Sequence, residues 1–176
     1  MRALILDPAS AGLDEMLARR ARSGLDRLDE VWEGVLHMAP APRDAHADVS
    51  QQLAVILDRP ARTAGLFPAI SIFNLGAPDD YRVPDGGVHR ARSWGVFAAT
   101  AALVVEIVSP GDETWEKLFF YAKHHVDELL IVDPAARAVH WLGLEENGEY
   151  RPLERSGVID FGPVELAEQI DWPPLD

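Results

Sequence analysis

Apolar positions recur along this chain in two rhythms. Over His46 to Leu57, residues Val49, Leu53, Ile56 and Leu57 stand four, three and one apart. That spacing predicts one face of a helix. GLDEMLARRAR (12–22) suits a second, shorter helix. Elsewhere the apolar residues run together. Leu103 to Val108 predicts a buried strand, and Glu128 to Val132 another. Between them Asp112 suits a helix N-cap, and Glu113 and Glu116 favour the positive end of a helix. Trp115, Leu118, Phe119, Ala122 and Val126 then follow at three and four, predicting one apolar stripe.

Shorter signals fill the remainder. DEVWEGVLHM (29–38) reads as a hairpin about Gly34, and Leu66 to Leu75 as a strand. VPDGGVH (83–89) carries a short strand or strand end, with Gly86-Gly87 read as a turn. Ala138 to Leu142 pairs back on the 128–132 strand, and Asn147-Gly148 predicts a hairpin turn. APAPRDA, DRPARTAG and GAPDDYR read as breaks, WGVFAAT as a connector. The tail from Phe161 is weakly helical at most. This order implies a mixed α/β fold, with a central mixed sheet flanked by helices. A chain of 176 residues suits a single domain.

Composition narrows the class. No apolar run approaches the roughly 20 residues of a membrane span. The first residues lack the apolar core of a signal peptide. Cysteine is absent, so disulfides and thiolate metal sites are excluded, which fits a reducing cytoplasm. Net charge is −13, from 16 basic and 29 acidic residues. That balance argues against tight nonspecific binding to nucleic acid. It is compatible with carboxylates that need a divalent cation.

Glu106 is the anomaly of the strand LVVEIV. A carboxylate taken out of water costs several kcal/mol, roughly, unless something pairs with it. Asp85 stands at a strand end after Pro84, and Lys117 in the first turns of the following helix. Two acids on neighbouring strands would supply the hard oxygens of a Mg²⁺ site, and Mn²⁺ suits the same ligands. A lysine near them could orient or help deprotonate an attacking water. Tyr121 lies one turn beyond Lys117. Each residue also has a plainer reading. Asp85 can be a turn aspartate, Glu106 a strand acid paired with an arginine, and Lys117 a solvated side chain. His124-His125 reads as a pair at a helix C-terminus rather than a metal site. ARRARSGLDR, near residue 18, reads as a solvated helix face.

The ordered set Pro84-Asp85, Glu106, Ser109-Pro110, Asp112, Lys117, Tyr121 and Val132-Asp133-Pro134 resembles the Uma-type family. That bacterial group is described as putative restriction endonucleases of the PD-(D/E)XK nuclease superfamily. The resemblance spans roughly residues 28 to 161, with 1–27 as a helical lead-in and 162–176 as a tail. Upstream, Glu30, Gly34, Met38-Ala39-Pro40 and His46 resemble the family's N-terminal stretch. The resemblance implies a restriction-endonuclease-like core and Mg²⁺-dependent hydrolysis of DNA phosphodiesters. It implies Asp85 and Glu106 as metal ligands and Lys117 as the catalytic lysine. Glu30, His46 and Tyr121 are the implied accessory residues. The superfamily's usual lysine position, two residues after the acid, holds Val108 here. The alternative is a weak or inactive module on the same fold, acting through protein or nucleic-acid partners, with a homodimer as one expected assembly. An exposed face around Trp141 and Tyr150 would serve it. Hydrolysis of RNA or a small phosphodiester would use the same residues.

Overall fold

The run around Leu103 forms a fully buried strand, β8 (Leu103–Ile107), in a computed structural model that describes residues 12–92, 95–111 and 113–174. Its parallel neighbour is β9 (Glu128–Asp133), with Val105 beside Leu130 and Glu106 beside Ile131. Parallel neighbours need a crossover connection. A 3-10 turn (Thr114–Lys117) and helix α3 (Leu118–Lys123) supply it. Strand β10 (Ala138–Leu144) returns antiparallel on β9, and β11 (Tyr150–Pro152) on β10. On its other edge β8 pairs with β6 (Gly86–His89), and β6 with β3 (Phe67–Ala69). The six strands run in the order β11-β10-β9-β8-β6-β3.

A second sheet holds β1 (Glu30–Trp32), β2 (Val35–His37), β4 (Asn74–Ala77), β5 (Asp80–Arg82) and β7 (Phe97–Ala98), in the order β2-β1-β5-β4-β7. Helix α1 (Leu13–Ser23) leads into it and is tied down by Arg20, whose Nε donates to Asp29 Oδ2 at 2.9 Å.

Alternation along β8 sends its side chains to two cores. Leu103, Val105 and Ile107 meet Val49, Leu53 and Leu57 of α2 (Asp44–Thr63), with Leu166 of α4 (Pro163–Gln169) in the same cluster. Val104 faces the other way, with Leu129 and Ile131, against Phe120 and Tyr121 of α3 and Leu75 of the smaller sheet. Each such side chain contributes about 1.5–3 kcal/mol on burial. Glu106 continues the Val104 face, at the end of this second core.

Several expectations need correction. The fold has two sheets, not one, because the segment read as one strand over 66–75 divides into β3 and β4, which join different sheets. GAPDDYR is a hairpin with strand on both sides rather than only a turn. Pro60 lies inside α2 instead of breaking it, since buried Leu57 and Ala61 hold the last turn against the sheet. Gly86-Gly87 is strand, not turn. Of the stripe read from Trp115 to Val126, Trp115 and Phe119 point outward, Phe119 being 78% exposed, while Leu118 and Val126 pack on the second core. The inward line is Thr114, Lys117 and Tyr121, because Glu106 recruits Lys117 and Tyr121 to its side. Trp141 is buried rather than exposed. The tail forms the docked helix α4. The N-cap read at Asp112 lies outside the described residues. No helix among them is long and apolar enough to cross a membrane.

The glycines of β6 admit other chain segments to its surface. A Cβ on Gly87 would stand 2.9 Å from the Phe73 ring and 3.2 Å from His89 Nε2. Gly87→Ala should therefore destabilise the fold by about 1–2 kcal/mol through overpacking. Urea unfolding with an unchanged m-value would show it.

Candidate active site

The register between β6 and β8 builds the site. Gly86 pairs with Val105 and Gly87 with Val104. One further step places Asp85 opposite Glu106, on one face of neighbouring strands, where opposed side chains stand close. Asp85 Oδ2 accepts from the Ile107 backbone N–H at 2.7 Å. Its other oxygen meets His46 Nε2 at 2.9 Å, from the first turn of α2. His46 Nδ1 lies 3.2 Å from Ser109 Oγ, just past β8. The aspartate is thus fixed from two sides, and the histidine is fixed with it.

Glu106 is held by α3. Lys117 Nζ donates to its two oxygens at 3.1 and 3.4 Å, and the Tyr121 hydroxyl donates to Oε1. Lys117 also reaches Glu30 Oε1, at 2.9 Å, from β1 of the other sheet. Glu30 in turn accepts from the Val83 N–H at 2.8 Å and from Trp32 Nε1 at 2.7 Å. One ammonium group therefore bridges carboxylates from both sheets. Glu30, Lys117, Glu106 and Tyr121 form one bonded group, and His46 and Asp85 a second beside it on the neighbouring strand. Sequence reading named all six. Lys117 is not the solvated side chain of its plainer reading, and Asp85 is not in a turn.

Electrostatics follow from burial. Removal from water pushes Glu106 up to about 7. Lys117 and the Tyr121 hydrogen bond pull it down, while Asp85 and Glu30 push it further up. Burial alone would lower Lys117, but Glu106 and Glu30 outweigh it and the lysine is raised. It stays protonated. Burial raises Tyr121, and the Glu106 charge adds to this, so its hydroxyl keeps its proton.

The donor chemistry fits a hard divalent cation. Asp85 and Glu106 offer carboxylate oxygens from adjacent strands and repel each other, and a cation between them would relieve that repulsion. Among the described residues no three Asp, Glu or His side chains form a converged ligand group. Water and substrate phosphate would complete the shell, as is common for Mg²⁺.

A surrounding shell escaped the sequence reading. The buried Arg82 guanidinium lies between the Trp32 and Phe120 rings, at 4.3 and 4.0 Å, and donates to Val31 O at 2.9 Å. His37 stacks on Trp32 at 4.3 Å and meets Glu113 at 3.2 Å. No local pattern marks Arg82, which stands in the segment GAPDDYR read from sequence as a break.

The mixed α/β fold that carries these residues is nuclease-like. The chain belongs to the Uma2 family, described as putative restriction endonuclease, whose model matches residues 15–169. It is similar to the crystal structure of a putative nuclease belonging to DUF820 from Anabaena variabilis ATCC 29413, with a TM-score of 0.62 at 14% identity. That likeness covers 80% of this chain and 90% of the other. No curated protein matches the chain. The family and the mixed α/β nuclease fold read from the sequence both hold.

Proposed function

We propose that the chain is a divalent-metal-dependent endonuclease that hydrolyses DNA phosphodiesters. The observation that carries this reading is the Asp85–Glu106 pair, set side by side by strand register under a bridging lysine. Bound there, Mg²⁺ or Mn²⁺ would supply Lewis-acid polarisation of the phosphodiester. Asp85 and Glu106 would hold the cation, with His46 and Tyr121 fixing their orientation. Lys117, kept protonated by its two carboxylates, faces the charge that develops on phosphate oxygen and orients the attacking water. It is an electrostatic stabiliser rather than a base. Glu30 holds the lysine ready from the other sheet.

Calorimetric titration of Mn²⁺ into wild type, Asp85→Asn and Glu106→Gln tests this, followed by plasmid cleavage with Mg²⁺. Each substitution should weaken the metal at least roughly tenfold and abolish cleavage. Cleavage that survives in Asp85→Asn overturns the assignment. A folded wild type that takes up no metal, even with DNA present, would make the chain a binding module on the nuclease fold.

The metal affinity should also depend on pH. A proton on Glu106 competes with the cation, so apparent affinity should rise about tenfold per pH unit up to about 7 and then level off. Titrations at several pH values would show this. Glu106→Gln should flatten whatever binding remains.

A further inference from the structure

The geometry points to a second binding site, at the seam between the two sheets, that takes one unpaired nucleotide through its planar base and its phosphate. The choice of ligand rests on the nucleic-acid reading above; the site itself does not. A cavity of about 300 Å³ opens where β3 and β6 of the larger sheet meet β4 and β7 of the smaller. That volume lies at the small end of ligand pockets. It suits a single nucleotide and excludes a duplex.

The walls carry flat rings. Phe73 meets His89 edge-on, with centroids 4.9 Å apart, and Phe67 lines the same space. Burial lowers His89, which keeps its imidazole neutral near pH 7 and suited to stacking and hydrogen bonding. Aromatic faces of this kind hold any base by its π-face. The polar groups are few and available. The Asn74 amide donates to Val96 O at 3.2 Å, and its carbonyl oxygen has no partner among the described residues. It can accept from a base edge.

Charge completes the argument. The chain is strongly acidic, and two of the cations near this seam are already paired: Arg90 with Asp127 at 2.5 Å, and Arg62, also on the pocket, with Asp58 at 2.9 Å. Arg92 is exposed and makes no ion pair among the described residues. Its guanidinium lies 5.2 Å from the centre of the Phe67 ring. A free guanidinium beside an aromatic wall is what a nucleotide phosphate and its base would find together. From His89 to Asp85 the chain runs four residues along β6, roughly 13 Å, about the length of four stacked nucleotides on one strand. The pocket and the carboxylate pair thus stand at opposite ends of β6.

The test is fluorescence anisotropy of labelled octathymidylate in EDTA, where no divalent ion is present and no cleavage occurs. Wild type should bind it. Arg92→Gln and Phe67→Leu should each weaken binding at least roughly fivefold to tenfold, with unchanged thermal melts. Competition by thymidine 5′-monophosphate separates the two sources of the ligand: displacement at the oligonucleotide's own concentrations identifies a free nucleotide, and displacement only far above them identifies a strand. Equal binding by wild type, Arg92→Gln and Phe67→Leu would overturn the proposal, as would wild type binding neither ligand at about 1 mM. Manganese titration of the same samples keeps the readings apart. Metal uptake without oligonucleotide binding sinks only this site, and the converse sinks only the nuclease reading.

Discussion

Replacing Lys117 by methionine should cost roughly 3–5 kcal/mol of stability at neutral pH, the penalty for leaving buried charge without its partner. Methionine keeps the length and most of the volume, so the loss is one of charge. Glu30 and Glu106 are only 7% and 4% exposed, and the single ammonium group bridges both. The pH dependence identifies the cause. Glu106 is raised to about 7 by burial, above its ordinary 4.5, so the folded state binds its proton more readily than the unfolded chain does. The stability this contributes is fully present below about 4.5 and is lost as pH rises through about 7. Without Lys117 the folded value climbs further, and the loss extends to higher pH. The variant should therefore approach wild type near pH 5 and diverge from it above. Urea unfolding across that range measures the difference. Lys117→Met/Glu106→Gln should recover at least half of the loss, whereas a deficit independent of pH would assign it to packing.

That one ammonium group also explains what was and was not legible in the sequence. The strand at Leu103–Ile107 was plain, because a continuous apolar run bounded by Ser-Pro-Gly has few other uses. The acid inside it was plain as a problem, and its solution by a nearby cation followed from the cost of burying charge. The direct pairing of Asp85 with Glu106 was not readable, since it depends on the β6–β8 register, a contact between distant segments. The face of α3 was misread for the same reason. Periodicity chose Trp115 and Phe119, whose apolar area is greater, yet the buried carboxylate turns Lys117 and Tyr121 inward. With Phe120 and Tyr121 already filling the core on that side, Trp115 and Phe119 are left outside. Pro60 failed as a helix breaker because propensity is a weak prior against a packed last turn. Arg82 left no periodic trace, since its partners are the Asp80 carboxylate, backbone carbonyls and two rings from different elements.

Glu128 was read only as the first residue of a strand, and it predicts the second large effect. Its carboxylate is buried and has no basic partner among the described residues. Instead it collects neutral donors: Trp141 Nε1 at 2.8 Å, Ser156 Oγ at 2.5 Å, and the backbone N–H groups of Gly157 and Val158 at 2.8 and 3.2 Å. Those donors come from β10 and from the segment that leads to Ile159 and Phe161 of the larger core. One side chain thus pins the C-terminal quarter of the chain to the central sheet. Glu128→Ala leaves several buried donors unpaired, each costing about 1–3 kcal/mol less whatever water recovers, so a total near 4 kcal/mol is expected. The damage should be local first. Arg155 sits beside the pinned segment, and trypsin should cut there in the variant well before the sheet unfolds, because a sub-global opening needs less free energy than the whole fold. The Trp141 indole would report the same event by its fluorescence. Ser156→Ala removes one donor and leaves the carboxylate its other three, so it should cost far less. Were the two substitutions equally damaging, the hydroxyl and not the carboxylate would be the anchor, since Ser156 Oγ also accepts from the Val158 and Ile159 N–H groups at 3.0 Å.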